Sequence, residues 1–185
     1  ARAAVRAGDL EGAARLVGDA LALLAEHGEA RLLEIEIAAR RALPDGFVFL
    51  PGGAYPVGAS DEPGRVPRRV RLAAVYLGRH EVTNRAYARF VAANGYGDPR
   101  FWAPDARDAL PGFCDATGKP GPAGWRHGAP RPGTEDEPVT GIAWHEAMAY
   151  ARSVGARLPT EDEGEVAASY DPATDTGRRF PWGDT

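Results

Sequence analysis

One thiol, four imidazoles and a few carboxylates beside a proline corner are the groups here with chemistry to offer. Cys114 is the single cysteine, so no disulfide can close within these residues and no cysteine metal cluster can form. A lone thiol becomes a nucleophile only when its pKa is depressed. Asp115 and Phe113 flank it, and a negative charge and an apolar contact both disfavour the thiolate. Cys114 is therefore read as incidental. His27, His80, His127 and His145 are far apart, and no pair has the helical spacing of metal ligands. His145 falls in the first turn of an expected helix, a poor place for a cation, so His127 and His145 read as surface residues. Glu81, Glu161 and Glu165 have the chemistry of general acids or bases. A carboxylate beside a helix start more commonly caps it or pairs with an arginine such as Arg79 or Arg157, and that is the expectation. Arg65, Arg68, Arg69 and Arg71, with Asp61 and Glu62 adjacent, read as a solvated mixed-charge face.

The elements that must position these groups follow two grammars. Residues 1–43 are rich in Ala, Leu, Arg and Glu and contain no proline. Leu10, Ala14, Val17, Leu21 and Leu24 recur at helical spacing, with Asp9 as the N-cap and Gly8 before it. Gly28 ends that helix, and another is expected from about Glu29 to Ala42, stopped by Pro44. The Gly8-Asp9-Leu10-Glu11 turn between two alanine-rich helices resembles that of one tetratricopeptide-like hairpin, which cannot bury its stripe alone. It is read as a helical linker, with a docking scaffold as the alternative.

After Asp45 the chain turns to short elements and many turns, with most of its 23 glycines and 16 prolines. Phe47–Leu50, Ala54–Gly58, Arg69–Leu72 and Val75–Leu77 are predicted strands. Thr83 should cap a helix burying Tyr87, Phe90 and Val91, closed by Gly95. The aromatic-dotted stretch from 95 to 135 is read as a loop that is either functional or packed by its own side chains. Trp144 opens a helix with Ala147, Tyr150, Ala151 and Val154 inward, ended by Gly155. Pro159 sets an extended entry to a helix over Glu161–Tyr170, where Thr160 and Glu163 have capping-box spacing. Trp144 and Trp182 have the size of core anchors.

Hydrophobic residues at 44% and charged residues at 26% are those of a globular chain rather than a disordered one. The net charge of −4 gives no general attraction to nucleic acid or an acidic membrane surface. No apolar run approaches the length of a membrane span, and no signal-peptide pattern is visible, so the expected location is the cytoplasm.

Four motifs stand in order: Glu81-Val82-Thr83-Asn84; Pro138, Val139, Gly141 and Trp144; Leu158-Pro159-Thr160-Glu161 with Glu163 and Glu165; and Pro181-Trp182-Gly183-Asp184. Gly58, in Pro56-Val57-Gly58-Ala59-Ser60, stands where a Met-Gly-Ser turn would precede them. With these motifs the chain resembles the sulfatase-modifying-factor family, whose founding members are the formylglycine-generating enzymes. Residues 46–185 would be the N-terminal part of such a domain, following the helical segment 1–43. The motif residues are expected to be mostly architectural. Gly164 departs from the pattern, standing where the family has a tryptophan.

The resemblance implies an α+β fold, an elaborated C-type-lectin-like domain with little regular secondary structure. It implies, for the complete protein, a bacterial-type oxidoreductase that converts a sulfatase cysteine to formylglycine with oxygen and copper. A protein or peptide substrate would be its partner, as would an upstream domain. The copper cysteines and most calcium ligands of the family lie beyond Thr185, so this stretch alone is expected to hold no catalytic, cofactor or metal site. A non-catalytic, ligand-binding or regulatory lectin-like domain appended to a kinase or other module is the alternative. The related ergothioneine-synthase branch ranks last, because its iron-binding bundle needs clustered histidines and residues 1–43 contain only His27.

Overall fold

Asp9 starts the first helix in the expected way. Its Oδ1 accepts the Gly12 amide at 2.8 Å, and Gly8 before it takes the left-handed φ of +81°. A computed structural model describes residues 8–23, 33, 36–38, 45–58 and 67–183. They form two units, one from residues up to Arg79 together with Glu161 onward, the other from His80 to Thr160. The expected Gly28 stop, His27 and most of the Glu29–Ala42 helix lie outside the described residues, as do Asp61–Arg65 and Asp184.

In the first unit, helix α1 (Leu10–Leu23) buries Ala13 and Val17 against Leu33 and Ile37. Leu10 and Ala14 of the expected stripe are half-buried. Strands β1 (Phe47–Leu50), β2 (Gly53–Val57), β3 (Arg68–Leu72) and β4 (Val75–Gly78) match the predicted runs closely. β1 pairs antiparallel with β4, and β2 with β3. The residue offset is the same in both pairs, so 47–57 and 68–78 are one two-stranded ribbon, interrupted at Pro51-Gly52 opposite Ala73-Ala74. A side chain at Gly52 would meet the Ala74 amide nitrogen at 3.1 Å, which keeps that position small.

Helix α2 (Glu161–Ser169) begins directly after Thr160, where the proline corner placed it. It ends one residue short of the expected Tyr170, which starts the short β5 (Tyr170–Asp171) paired with β6 (Thr176–Gly177). Val166 packs with Tyr55 and Val57, and Tyr170 meets Tyr55 edge-on at 4.9 Å. Glu163, in the first turn of α2, is buried.

Gly164 lies mid-helix, and a β-carbon there would meet nothing within 4 Å among the described residues. Glycine costs a helix interior about 1 kcal/mol relative to alanine. Gly164→Ala should therefore raise unfolding stability by about 1 kcal/mol, read from the denaturant midpoint. No gain would mean that a contact, rather than propensity, governs the site.

In the second unit, Thr83 caps helix α3 (Asn84–Ala92) by accepting the Ala86 amide at 3.2 Å. Helix α4 (Trp144–Ser153) lies against it, with Tyr150 stacked on Tyr87 at 5.3 Å. Two 3₁₀ turns, Pro104–Ala106 and Leu110–Gly112, interrupt the long connection between them. That connection builds the core: Tyr96, Trp102, Ala106 and Trp125 bury against Tyr87, Phe90 and Ala149. Of the two alternatives for residues 95–135, self-packing holds. Gly95 is required here, because a β-carbon would stand 2.1 Å from the Phe90 ring.

The anchor expectation for two tryptophans is corrected. Trp144 is 62% exposed and Trp182 76%. Trp182 instead stacks on Phe180 at 5.3 Å, across a turn closed by the Phe180 and Gly183 backbones. Val154, expected inward, is also exposed, while the buried positions of α4 are Glu146, Ala149 and Ala151. A helical face had been assigned to Val154 by hydrophobicity, but the helix ends at Ser153.

Candidate functional site

Two of the sequence motifs meet through backbone hydrogen bonds. The Val139 amide donates to the Val82 carbonyl at 2.8 Å, and Thr83 bridges Pro138. Asn84 then ties this junction to the long loop. Its amide nitrogen donates to the Thr134 carbonyl at 2.8 Å, its oxygen accepts the Trp125 indole N–H at 3.2 Å, and its backbone N–H reaches the Glu137 carbonyl at 2.9 Å. Asn84, Thr134 and Trp125 are all buried. An asparagine suits this place because its short, uncharged side chain carries a donor and an acceptor on two separate atoms, one for each partner.

Gly141 completes the junction. It has φ +72°, its carbonyl accepts the Ala123 amide at 2.8 Å, and a side chain would press on Gly124 N at 3.3 Å. A cleft of about 530 Å³ opens over this region, lined by Asn84, Trp125, Arg131, Thr134, Glu137 and Pro138 among others. In the other unit, a further motif pair meets: Glu165 Oε1 accepts the Gly58 amide at 2.5 Å, with Gly58 at φ +87°. Glu165 was expected to cap or to pair with an arginine, and it serves a backbone amide instead.

Beneath the α3–α4 contact runs a polar chain within the aromatic core. Tyr87 and Tyr96 hydroxyls lie 3.2 Å apart, and Tyr96 donates to Glu146 Oε1. Glu146 Oε2 accepts the Ala143 amide at 2.6 Å, the half of a capping box that alanine can share. Glu146 is 3% exposed and Tyr87 fully buried. Burial, joined by the Glu146 hydrogen bond, pushes the Tyr96 phenol far above its ordinary pKa, and burial raises Tyr87 as well. Neither phenol ionises alone at ordinary pH.

Asp115 has a role that sequence reading missed. Burial opposes its charge, but the Gly128 amide at 2.7 Å, the Thr117 hydroxyl and amide, and the Lys119 amide all donate to it. Together they hold its carboxyl well below the ordinary range. The run Asp115-Ala116-Thr117-Gly118 is a turn signature from which this could have been read. Cys114 beside it donates to the Pro111 carbonyl at 3.1 Å. Because the carboxylate is favoured in the folded state, its contribution is complete above about pH 4 and drains away as pH falls below that. Asp115→Asn should lower the melting temperature at neutral pH, and the gap to wild type should close in acid. A gap unchanged from neutral pH into acid would refute this.

Other candidate residues fall to the surface. Glu81, Glu161, Pro159 and Thr160 are exposed, and His127 is exposed at φ +56°. His145 packs edge-on against Trp144. Arg68 pairs with Asp162 of α2 at 2.5 Å and Arg69 with Asp175 of the β5–β6 turn at 3.2 Å, while Asp61, Glu62 and Arg65 of the expected face lie outside the described residues. Among the described residues, no group of three His, Cys, Asp or Glu side chains could hold a metal ion. None of their helices is long and apolar enough to cross a membrane. A paired-thiolate copper site or a calcium site does not fit the residues described, since the lone thiol donates to Pro111, Asp115 is taken up by amides and the Thr117 hydroxyl, and Glu146 by an amide and a phenol.

Comparison with known proteins bears on these motifs. The profile of the sulfatase-modifying factor enzyme 1-like domain matches residues 34–185. Hercynine oxygenase of Mycolicibacterium smegmatis is 36% identical over 160 residues, covering 79% of this chain and 36% of that protein. Hercynine oxygenase of Mycolicibacterium thermoresistibile is 42% identical over 122 residues, covering 62% of this chain and 26% of that protein. Formylglycine-generating enzyme of Mycobacterium tuberculosis is 36% identical over 168 residues, covering 75% of this chain and 54% of that protein. The chain thus spans about a quarter to a half of the length of these relatives.

Proposed function

The chain belongs to the sulfatase-modifying factor family, and from that premise we propose that its residues supply the framework of a formylglycine-generating oxidase. In this reading the framework is an elaborated C-type-lectin-like domain, carried on an N-terminal helical hairpin that links it to an upstream domain. It orients a cysteine-bearing protein or peptide substrate, and copper- and calcium-holding residues belong to sequence outside these 185 residues. The observation that carries the reading is the junction of motifs. Asn84 and the Val82–Val139 pairing bind residues fifty or more positions apart into one wall beneath a cleft. That is a device for holding a surface rigid, and a positioned site needs such support.

A second reading, an oxygenase acting on hercynine or another small molecule, is favoured by the identity of 42% to a protein of that name. A binding or regulatory role without catalysis is the third. The test uses the full-length gene product with copper or iron, offered a sulfatase-type cysteine peptide and, separately, hercynine. Peptide conversion to the aldehyde, seen by mass spectrometry, is the expected result. Oxygen uptake with hercynine alone would move the assignment to the second reading. Turnover of neither, in a protein that is folded and metal-loaded, would overturn both. Residues 1–185 alone should show no copper-dependent peptide oxidation in the same assay, and turnover by them would contradict the placement of the metal site.

A further inference from the structure

The buried chain beneath the motif junction offers more than packing requires. Rings alone would fill the core, and phenylalanines would do so without a carboxylate in apolar surroundings, where a charge is costly. Capping accounts for Glu146 Oε2, which holds the Ala143 amide; it does not account for Oε1, which faces the Tyr96 hydroxyl. Tyr96 thus has a proton acceptor in contact and almost no exposure to water. This is the arrangement that makes a phenol oxidisable. An electron can leave a buried tyrosine readily only if its proton has somewhere to go in the same step.

The neighbours extend the path. Trp125 meets Tyr87 edge-on at 6.1 Å between centroids, the Tyr87 and Tyr96 hydroxyls are 3.2 Å apart, and Tyr96 lies 5.4 Å from Trp102. Trp125 lines the cleft of about 530 Å³ over the junction, whereas Tyr96 lines a separate pocket of about 470 Å³. Tyr87, fully buried, stands between them.

We propose that Trp125, Tyr87 and Tyr96 form a hole-transfer path, with Glu146 as its proton acceptor, that draws a one-electron oxidising equivalent away from the cleft. The oxidant gains one electron from Trp125, which is refilled from Tyr96 by way of Tyr87. The O–H bond of Tyr96 breaks, its proton forms an O–H bond at Glu146 Oε1, and a neutral tyrosyl radical remains. A one-electron reductant such as a thiolate, reaching the Tyr96 pocket, returns the electron and becomes a thiyl radical, and the proton moves back from Glu146 to Tyr96. The path would spare the cleft from self-oxidation. For the source of oxidant it rests on the oxidase or oxygenase reading above.

The test brings its own oxidant, so its outcome is independent of whether the enzyme turns over. A photogenerated ruthenium(III) polypyridyl complex, with a cobalt(III) ammine as sacrificial acceptor, is flashed with the full-length protein carrying Tyr76→Phe, because Tyr76 is exposed. The expected transient is the narrow near-ultraviolet band of a tyrosyl radical. Tyr96→Phe should abolish that band and leave the broad visible band of a tryptophan radical. Glu146→Gln should do the same, with circular dichroism showing a folded chain, and heavy water should slow tyrosyl formation in the parent. If Glu146→Gln does not fold, Tyr96→Phe decides. A tyrosyl band of equal size in Tyr96→Phe, or a parent hole that stays on tryptophan, would overturn the proposal while leaving the oxidase reading untouched.

Discussion

Replacing Tyr87 by alanine is expected to destabilise the 80–160 unit by about 3–5 kcal/mol, the range for deleting a large buried ring. Tyr87 has no solvent exposure, and Phe90, Trp125 and Tyr150 all lie against its ring. The cavity would open at the centre of the core, where helices on two sides and a loop on a third cannot all close in. Tyr87→Phe separates ring from hydroxyl. Tyr96 keeps its bond to Glu146 in that variant, so the loss should be nearer the ~1 kcal/mol of one hydrogen bond. Urea unfolding followed by fluorescence would show the difference as a shift in midpoint at constant slope. Equal effects of the two substitutions would mean that the hydroxyl chain, rather than ring packing, holds this core.

Asn84→Ala is expected to cost about 3 kcal/mol although it removes few atoms. It strips partners from the Thr134 carbonyl and the Trp125 indole N–H, both in a buried setting, and each orphaned group costs about 1–3 kcal/mol. Asn84→Asp should be no milder. The aspartate can still accept from Trp125, but it turns a second acceptor toward the Thr134 carbonyl where a donor stood. Amide exchange at Val139 should quicken in both variants, since that amide closes the same junction. A change within about 0.5 kcal/mol, the ordinary range of surface substitutions, would rule out the clamp.

Much of the framework was legible in the sequence because local rules govern it. Four strand runs, the Asp9 and Thr83 caps and the helix start after Thr160 depend on residues within a turn of each other, whereas the α+β class came with the family resemblance. The family followed from motifs that are ordered along the chain. The core was less legible. Tyr96, Trp102 and Trp125 sit in a connection without helical or strand period, so no face could be assigned to them. The size of Trp144 and Trp182 predicts anchors, yet apolar character predicts burial in one direction only, and large rings do stand at surfaces. The Asn84–Thr134 and Tyr96–Glu146 contacts each join residues 50 positions apart, a distance at which one sequence carries no pairing information. Of residues 1–43, α1 and the packing of Ala13 and Val17 with Leu33 and Ile37 are described.

The unbroken offset of the 47–57 and 68–78 ribbon has a consequence for how this region can change in length. Adding or losing one residue in β2 alone would turn Tyr55 and Val57 outward and carry Ala54 and Pro56 in. Additions of two residues in each strand, placed opposite one another, keep both the pairing and the faces. Growth between Gly58 and Pro67 leaves the pairing of Val57 with Arg68 as it is. Grafts and tags therefore belong there, and engineered lengthening within the ribbon has to add two residues to each strand.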